Sequence, residues 1–511
     1  MCNASFQRAA VARRGTVGDV LTVQLRRLVP AVLAALALPV AAGCGGSSGD
    51  SSADPAAVVP ARAPVYAEAT IGPEGEQREG ALAALGKVLD TDDPEAKLRE
   101  MLRDRGGKGD VEPWIGDRVG AFALKLSATP GGGDATAGGD GAVVAATSDA
   151  DAAADWVQEQ GGKTERHRDV ELRLDEKGNA FALVEDRVVA GSRAAVRASI
   201  DAAKGDALAD ADAFRDALDR AGEEGIARAY LAPRALFESA GGGAAGGMLG
   251  SLAAGTLTGS MPTAVGAHVH ADAKAIRADL ATIGGADTGE PADPGFVAGL
   301  TGEAWFAAGI GKVGARLQEQ LGDSQALLGV LGAQAGLDLE KELLAWMGEG
   351  GLFVMGDAPS RLGAALVVQS TDPAATRAAV PKLGRLIGRF ANGAEVRELR
   401  ARGVHAGVTV RTQGSSTPIQ IAAAGERFVI ALGDRALREA ISPSSRLGDG
   451  ADFRSAAATL GGGLQPTVYL GAGGLATLAG GGEAQRVLSR FTALVATDRG
   501  EGRMRAALGL R

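Results

Sequence analysis

Few side chains in this 511-residue sequence have the type and spacing that chemistry requires. Gly309-Ile-Gly311-Lys-Val-Gly314 has the G-x-G-x-x-G spacing of a dinucleotide loop. The acidic residue expected about 20 positions later on a short parallel strand is missing, so the run predicts a tight strand-to-helix turn. Gly45-Gly-Ser47-Ser-Gly49 has the G-x-S-x-G order but lies in a Gly/Ser tract with no strand to strain it into a nucleophile elbow. Gly162-Lys163-Thr164 ends like a phosphate loop, yet Val157 stands where its first glycine belongs. His268 and His270 are two apart on a predicted strand and share a face, and His167 and His405 are the remaining imidazoles. No metal site, cofactor or catalytic residue is assigned from these patterns.

One cysteine has a clearer context. Arg26-Arg27 precedes an apolar run from Leu28 that ends in Ala41-Ala42-Gly43-Cys44. A charged start, an apolar stretch too short to span a bilayer and small residues before the cut define a signal peptide over 1–43. Small residues directly before Cys resemble a bacterial lipobox, so Cys44 is the expected lipidation site. Translation is expected to begin near Val20–Val23. The Gly/Ser-rich stretch that follows reads as a flexible tether over 44–63.

Charge and composition exclude other classes. The formal net charge of −9 disfavours a nucleic-acid partner. Two cysteines, Cys2 and Cys44, give the body no disulfide framework. With 77 glycines, 12 Phe, 4 Trp and 3 Tyr, the core must be built from small aliphatic residues.

These elements imply a duplicated body. Tyr66 aligns with Trp305, Trp114 with Trp346, Ser148-Asp149 with Thr371-Asp372, Gly191-Ser192-Arg193 with Gly433-Asp434-Arg435, and Tyr230 with Tyr469, all in one order. The expected fold class is α+β, as two tandem pseudo-symmetric repeats of helices packed on largely antiparallel sheets, at 64–283 and 303–511, joined by a connector at 284–302. Within each, a strand (64–71; 303–310) leads to a long helix (75–105; 312–346) and then to alternating strands. Asp149, Asp372, Ser192 and Asp434 are expected helix N-caps. Each unit closes in a hairpin.

The lipobox, the tether and a body carrying Pro64-Val-Tyr-Ala-Glu-Ala69, Trp114-Ile-Gly-Asp117 and Asp186-Arg-Val-Val-Ala-Gly-Ser192 resemble an uncharacterised family of actinobacterial secreted lipoproteins, a domain of unknown function. The resemblance implies location and architecture and brings no catalytic residues. The expected location is the outer face of the cytoplasmic membrane, with the membrane as partner through acylated Cys44. A charge-free segment, Gly241–Pro262, holds Met248, Leu249, Leu252, Leu257 and Met261. It reads as a mobile loop or loosely packed helix, or as a lid or membrane-contact segment. Three function classes stand: a non-catalytic binding or scaffold protein of the envelope, with an envelope protein or apolar ligand as partner; a carrier of a lipid or other apolar ligand between the two lobes; and an envelope enzyme.

Overall fold

The computed structural model describes residues 53–71, 73–97, 110–125, 140–160, 162–239, 262–284, 290–321, 338, 340–358, 361–390, 394–412, 417–474 and 483–511. Cys44, the signal sequence, Met248, Leu249, Leu252, Leu257 and Met261 lie outside them. No helix among the described residues is long and apolar enough to cross a membrane.

The first half of the chain supplies β1 Val65–Thr70, β2 Ile115–Ala123, β3 Gly141–Thr147, β4 Lys163–His167, β5 Val170–Leu174, β6 Asn179–Val184, β7 Arg187–Ser192, β8 Ala227–Leu231, β9 Ala264–Ala271 and β10 Ala275–Ile283. The second half supplies β11 Ala304–Ile310, β12 Met347–Met355, β13 Gly363–Ser370, β14 Glu395–Glu398, β15 Ala406–Arg411, β16 Ile419–Ala424, β17 Arg427–Leu432, β18 Val468–Gly471, β19 Phe491–Gly500 and β20 Arg503–Leu510.

All of these strands belong to one 20-stranded antiparallel sheet. From edge to edge the order is β4, β5, β6, β7, β3, β2, β1, β8, β9, β10, β20, β19, β18, β11, β12, β13, β17, β16, β15, β14. This overturns the expected α+β arrangement of two pseudo-symmetric repeats with sheets of their own: the chain is mostly sheet with some helices, and the sheet is single. The physical reason is the pairing of β10 with β20, from Ala275 opposite Gly509 to Ala281 opposite Arg503. It turns two potential edges into one continuous ladder. The true edges are short and charged, Lys163-Thr-Glu-Arg-His167 and Glu395-Val-Arg-Glu398, a pattern that resists further strand addition.

The aromatic alignment also shifts. Tyr66 lies opposite Tyr230, but in the second half Ala307 lies opposite Tyr469. Trp305 sits two residues earlier, at a β-bulge. A Cβ on Gly474 would run into its ring. Trp114 and Trp346 are both buried just ahead of β2 and β12.

Helices cover the two faces differently. On one face, helices Arg193–Ala202 and Asp212–Ala221 bury Tyr66, Phe122, Phe214 and Tyr230. Helices Asp434–Ile441 and Ala451–Thr459 bury Phe353, Phe453 and Val495 on the same face. On the other face, Ala150–Gln160 packs with Trp114, Val119 and Val188 at one end. Pro373–Phe390 packs with Val368, Ile421 and Phe428 towards the other. Helix Gly75–Leu89, expected to reach 105, ends at Asp90 in a left-handed conformation and packs on Ala271, Ile276 and Leu508.

Asp149 and Asp372 cap their helices as expected. Their Oδ1 atoms accept from Ala152 and Ala375 N–H, each at 3.0 Å. Ser192 accepts from Ala195 N–H at 3.1 Å. Asp434 differs: Gly433 is the cap, and the Asp434 carboxylate accepts from Gln420 at 2.6 Å. The described end of the expected tether is packed into the body. Ala56, Val58 and Val59 are fully buried, and Val59 C=O accepts from Leu208 N–H at 2.7 Å.

Candidate functional site

Opposed residues in an antiparallel sheet share a face, so one transverse row can be followed across the centre of the molecule. It reads Glu68 (β1), Arg228 (β8), His268 (β9), Asp279 (β10), Arg505 (β20), Thr497 (β19). Glu68, His268, Asp279 and Thr497 are buried. Polar side chains thus cross the seam between the halves under helix Asp212–Ala221, which packs on β9 and β10.

Each buried charge in the row is matched. Glu68 Oε1 accepts from Arg118 Nε at 2.6 Å, and Oε2 accepts from Arg228 Nε at 3.0 Å and Nη2 at 2.7 Å. The Tyr66 hydroxyl also donates to Oε2. Burial, then the Glu68 carboxylate, push the Tyr66 phenol well above its ordinary value. Burial works against the Arg228 guanidinium, yet Glu68 and Asp54 hold it above its ordinary value. Asp54 receives Arg228 Nη2 at 2.5 Å, and its carbonyl accepts from Arg187 Nε at 2.8 Å. Across the seam, Asp279 takes both forks of Arg505 at 2.6 and 2.8 Å and Arg499 at 3.2 Å. Such pairs are strong because the guanidinium and carboxylate planes match.

A cavity of about 200 Å³ opens beside this row, lined by Glu68, Asp117, Arg118, Glu224, Arg228 and His268 among others. His268 Nε2 lies 3.2 Å from the Leu218 carbonyl, so this nitrogen carries the proton and Nδ1 is a bare acceptor. Nδ1 is buried without a partner. Burial lowers the imidazole below its ordinary value. A larger open cleft, about 950 Å³, lies between the end of helix Gly75–Leu89, residues 90–95 and Arg490 and Arg511.

The opposite face is chemically different. One of its rows reads Leu183, Val188, Ala145, Val119, Ala69, Ala227, Val269, Ala278, Ala506, Ala496, Val468, Ala308, Leu352, Leu366, Ile430, Ile421 without a polar residue. The next rows add Ala67, Ala229, Ala267 and Leu280 on one side and Phe306, Leu470 and Leu494 on the other. Around the seam most of these are half-buried, and Leu494 and Met504 are 40% exposed.

The residues singled out in the sequence fall apart. At Gly309, Gly311 and Gly314 an added Cβ would strike Ala292 and Val297, the Glu290 carbonyl and the Leu344 carbonyl respectively. These glycines serve close packing at a strand-to-helix turn. His167 faces Asp201 at 3.1 Å, and His405 Nδ1 accepts from Gly425 N–H at 3.0 Å. His270 Nε2 is 4.0 Å from Asp279. Among the described residues, no group of three or more His, Cys, Asp or Glu is placed to hold a metal. Sequence reasoning missed Glu68, Arg228, Asp279 and Arg505. A charged residue amid the apolar alternation of β1 was the one available signal.

The fold and site therefore define a single-sheet, mostly-β protein with a buried ionic row on one face and an apolar surface on the other. The chain belongs to the family described as Protein of unknown function (DUF3352), whose model matches residues 47–477. No curated protein and no solved structure matches it.

Proposed function

We propose that this is a lipoprotein of the cell envelope, of the actinobacterial secreted type, which works by non-catalytic binding. The mature chain begins at acylated Cys44, which tethers it to the outer face of the cytoplasmic membrane. The body binds through the apolar face of its sheet. The observation that carries this reading is that apolar face: Ala67, Ala229, Ala267, Leu280, Leu494 and Met504 are half-buried or exposed, and no described core cluster includes them. Contiguous apolar surface of this kind on a folded chain marks an interaction site.

A second reading, the carrier of a lipid or other apolar ligand, is favoured by one feature. Seven adjacent strands place Ala496, Ala506, Ala278, Ala267, Ala229, Ala67 and Ala121 on this face. Small side chains there leave room for hydrocarbon over the seam.

The test uses the full chain, purified from its membrane, with a fluorescent fatty acid as probe. Ala267→Asp and Leu280→Lys are expected to lower probe binding at least tenfold with the circular dichroism unchanged. Unaltered binding in both variants overturns the role of the face. Mass spectrometry of the same preparation is expected to show diacylated Cys44 at the mature N-terminus; an uncut, unmodified Cys44 overturns the tether.

A further inference from the structure

His268 occupies an unusual place in the polar row. Arg228 is directly opposite it on β8 and Asp279 directly opposite on β10. Nε2 donates to the Leu218 carbonyl of helix Asp212–Ala221, and Nδ1 is buried without a partner. The helix lies directly on this strand: a Cβ on Gly266 would run into the Ala217 backbone.

A proton on Nδ1 has no acceptor within hydrogen-bond reach, and the charges around it are already matched. Arg228 is spent on Glu68 and Asp54. Asp279 is spent on Arg505 and Arg499. His270, on the same strand, adds a second imidazole beside Asp279. Glu224, before β8, and Asp117, on β2, are exposed on the same cavity and have no ion-pair partner among the described residues, while Arg118 between them is spent on Glu68. The charged residues of the helix, Asp212, Arg215, Asp216, Asp219 and Arg220, are exposed and do not screen the imidazole from inside.

We propose that His268 is an acid-sensitive latch: its protonation releases helix Asp212–Ala221 from the β9–β10 seam. Hydration of the charged ring requires water at Nδ1, which is buried without a partner while the helix is docked on Nε2 and Gly266. The docked state holds His268 neutral and the undocked state lets it titrate near the ordinary imidazole value of about 6.5. Docking is therefore at full strength above that pH and weakens as the pH falls below it. Each unit costs about a factor of ten until the lowered value of the docked state is reached. Burial of the ring supports this direction. The inference is independent of what the apolar face binds.

Hydrogen exchange read by mass spectrometry on the full chain tests it. Between pH 7.5 and 5.5, after correction for intrinsic exchange, the amides of 214–221 are expected to lose about tenfold in protection. Those of helix Asp434–Ile441 are expected to keep theirs. His268→Gln, whose amide still donates to Leu218, is expected to abolish the acid response, and His270→Gln to retain it. An equal acid response in His268→Gln, or none in the wild type, overturns the latch. Should His268→Gln fail to fold, ¹⁵N shifts of the wild-type imidazole decide. Protonation coinciding with loss of protection supports the latch, and protonation without it, or neither down to pH 4.5, overturns it.

Discussion

Glu68 shows how much a single buried charge can depend on its neighbours. It is 4% exposed and meets two guanidinium groups and a phenol. Removing one partner of a buried ion pair leaves the rest uncompensated, which costs more than the pair itself contributes. Glu68→Gln keeps the shape and removes the charge, and it is expected to lower the unfolding free energy by about 3–5 kcal/mol. Urea titration of the full chain measures this. A loss below about 1 kcal/mol would show that Arg118 and Arg228 find other partners. Residue types announced little of this arrangement. Glu68 and Arg228 are 160 positions apart, and their pairing depends on β1 and β8 being neighbours. Histidine spacing suggested a shared face for His268 and His270, which holds, but not that one would be buried without an acceptor.

At the scale of elements, local signals translated well where the cause is local. Asp149 and Asp372 each follow a strand and precede an alanine-rich helix, and each carboxylate accepts two backbone N–H bonds. Asp149→Ala and Asp372→Ala are each expected to cost about 1 kcal/mol, and about twice that together because the caps share no partner. Thermal unfolding of the single and double variants checks both magnitude and additivity. Period-two alternation marked most strands correctly. It could not mark which face would be covered: along Ala264–Ala271 the face that carries His268 and His270 is the one the helix buries, and the apolar face of Val265, Ala267 and Val269 is half-buried. The apolar spacing at Leu82, Leu85 and Leu89 predicts a helix to 105, and the structure ends it at Leu89. The break is written in Asp92-Asp93-Pro94: Asp90 closes the helix in a left-handed conformation, and the Asp93 carboxylate accepts from Ala96 N–H at 2.9 Å to cap a new helical turn opened by Pro94. Tyr66 and Trp305 align in the sequence, yet Ala307 is the residue opposite Tyr469, and Trp305 lies two residues earlier, at the bulge between Ala304 and Phe306.

The whole molecule turns on the contact between β10 and β20. Paired segments in the two halves suggested two units, since each half carries matching turns and caps. What joins the halves is a ladder between residues some 226 positions apart, such as Asp279 and Arg505, and no local pattern encodes a partner at that distance. The sheet is continuous through this seam, and the ionic row crosses it, so neither half has a finished edge without the other. Two consequences follow. The full chain is expected to unfold in one calorimetric transition that reports both halves, with Asp279→Ala lowering its midpoint without splitting it. Residues 53–290 expressed alone are expected to leave Ala275–Ile283 as an open edge nine residues long, which pairs with a second copy or aggregates. Light scattering reads the second outcome directly: a stable, monomeric 53–290 fragment with native circular dichroism would mean that the first half completes its own fold and that the seam is an adhesion between finished units. Recovery of a monodisperse particle on mixing 53–290 with 291–511, and not with a 291–511 fragment carrying Arg505→Asp, would locate the joining energy in the Asp279–Arg505 pair and the strands that hold it.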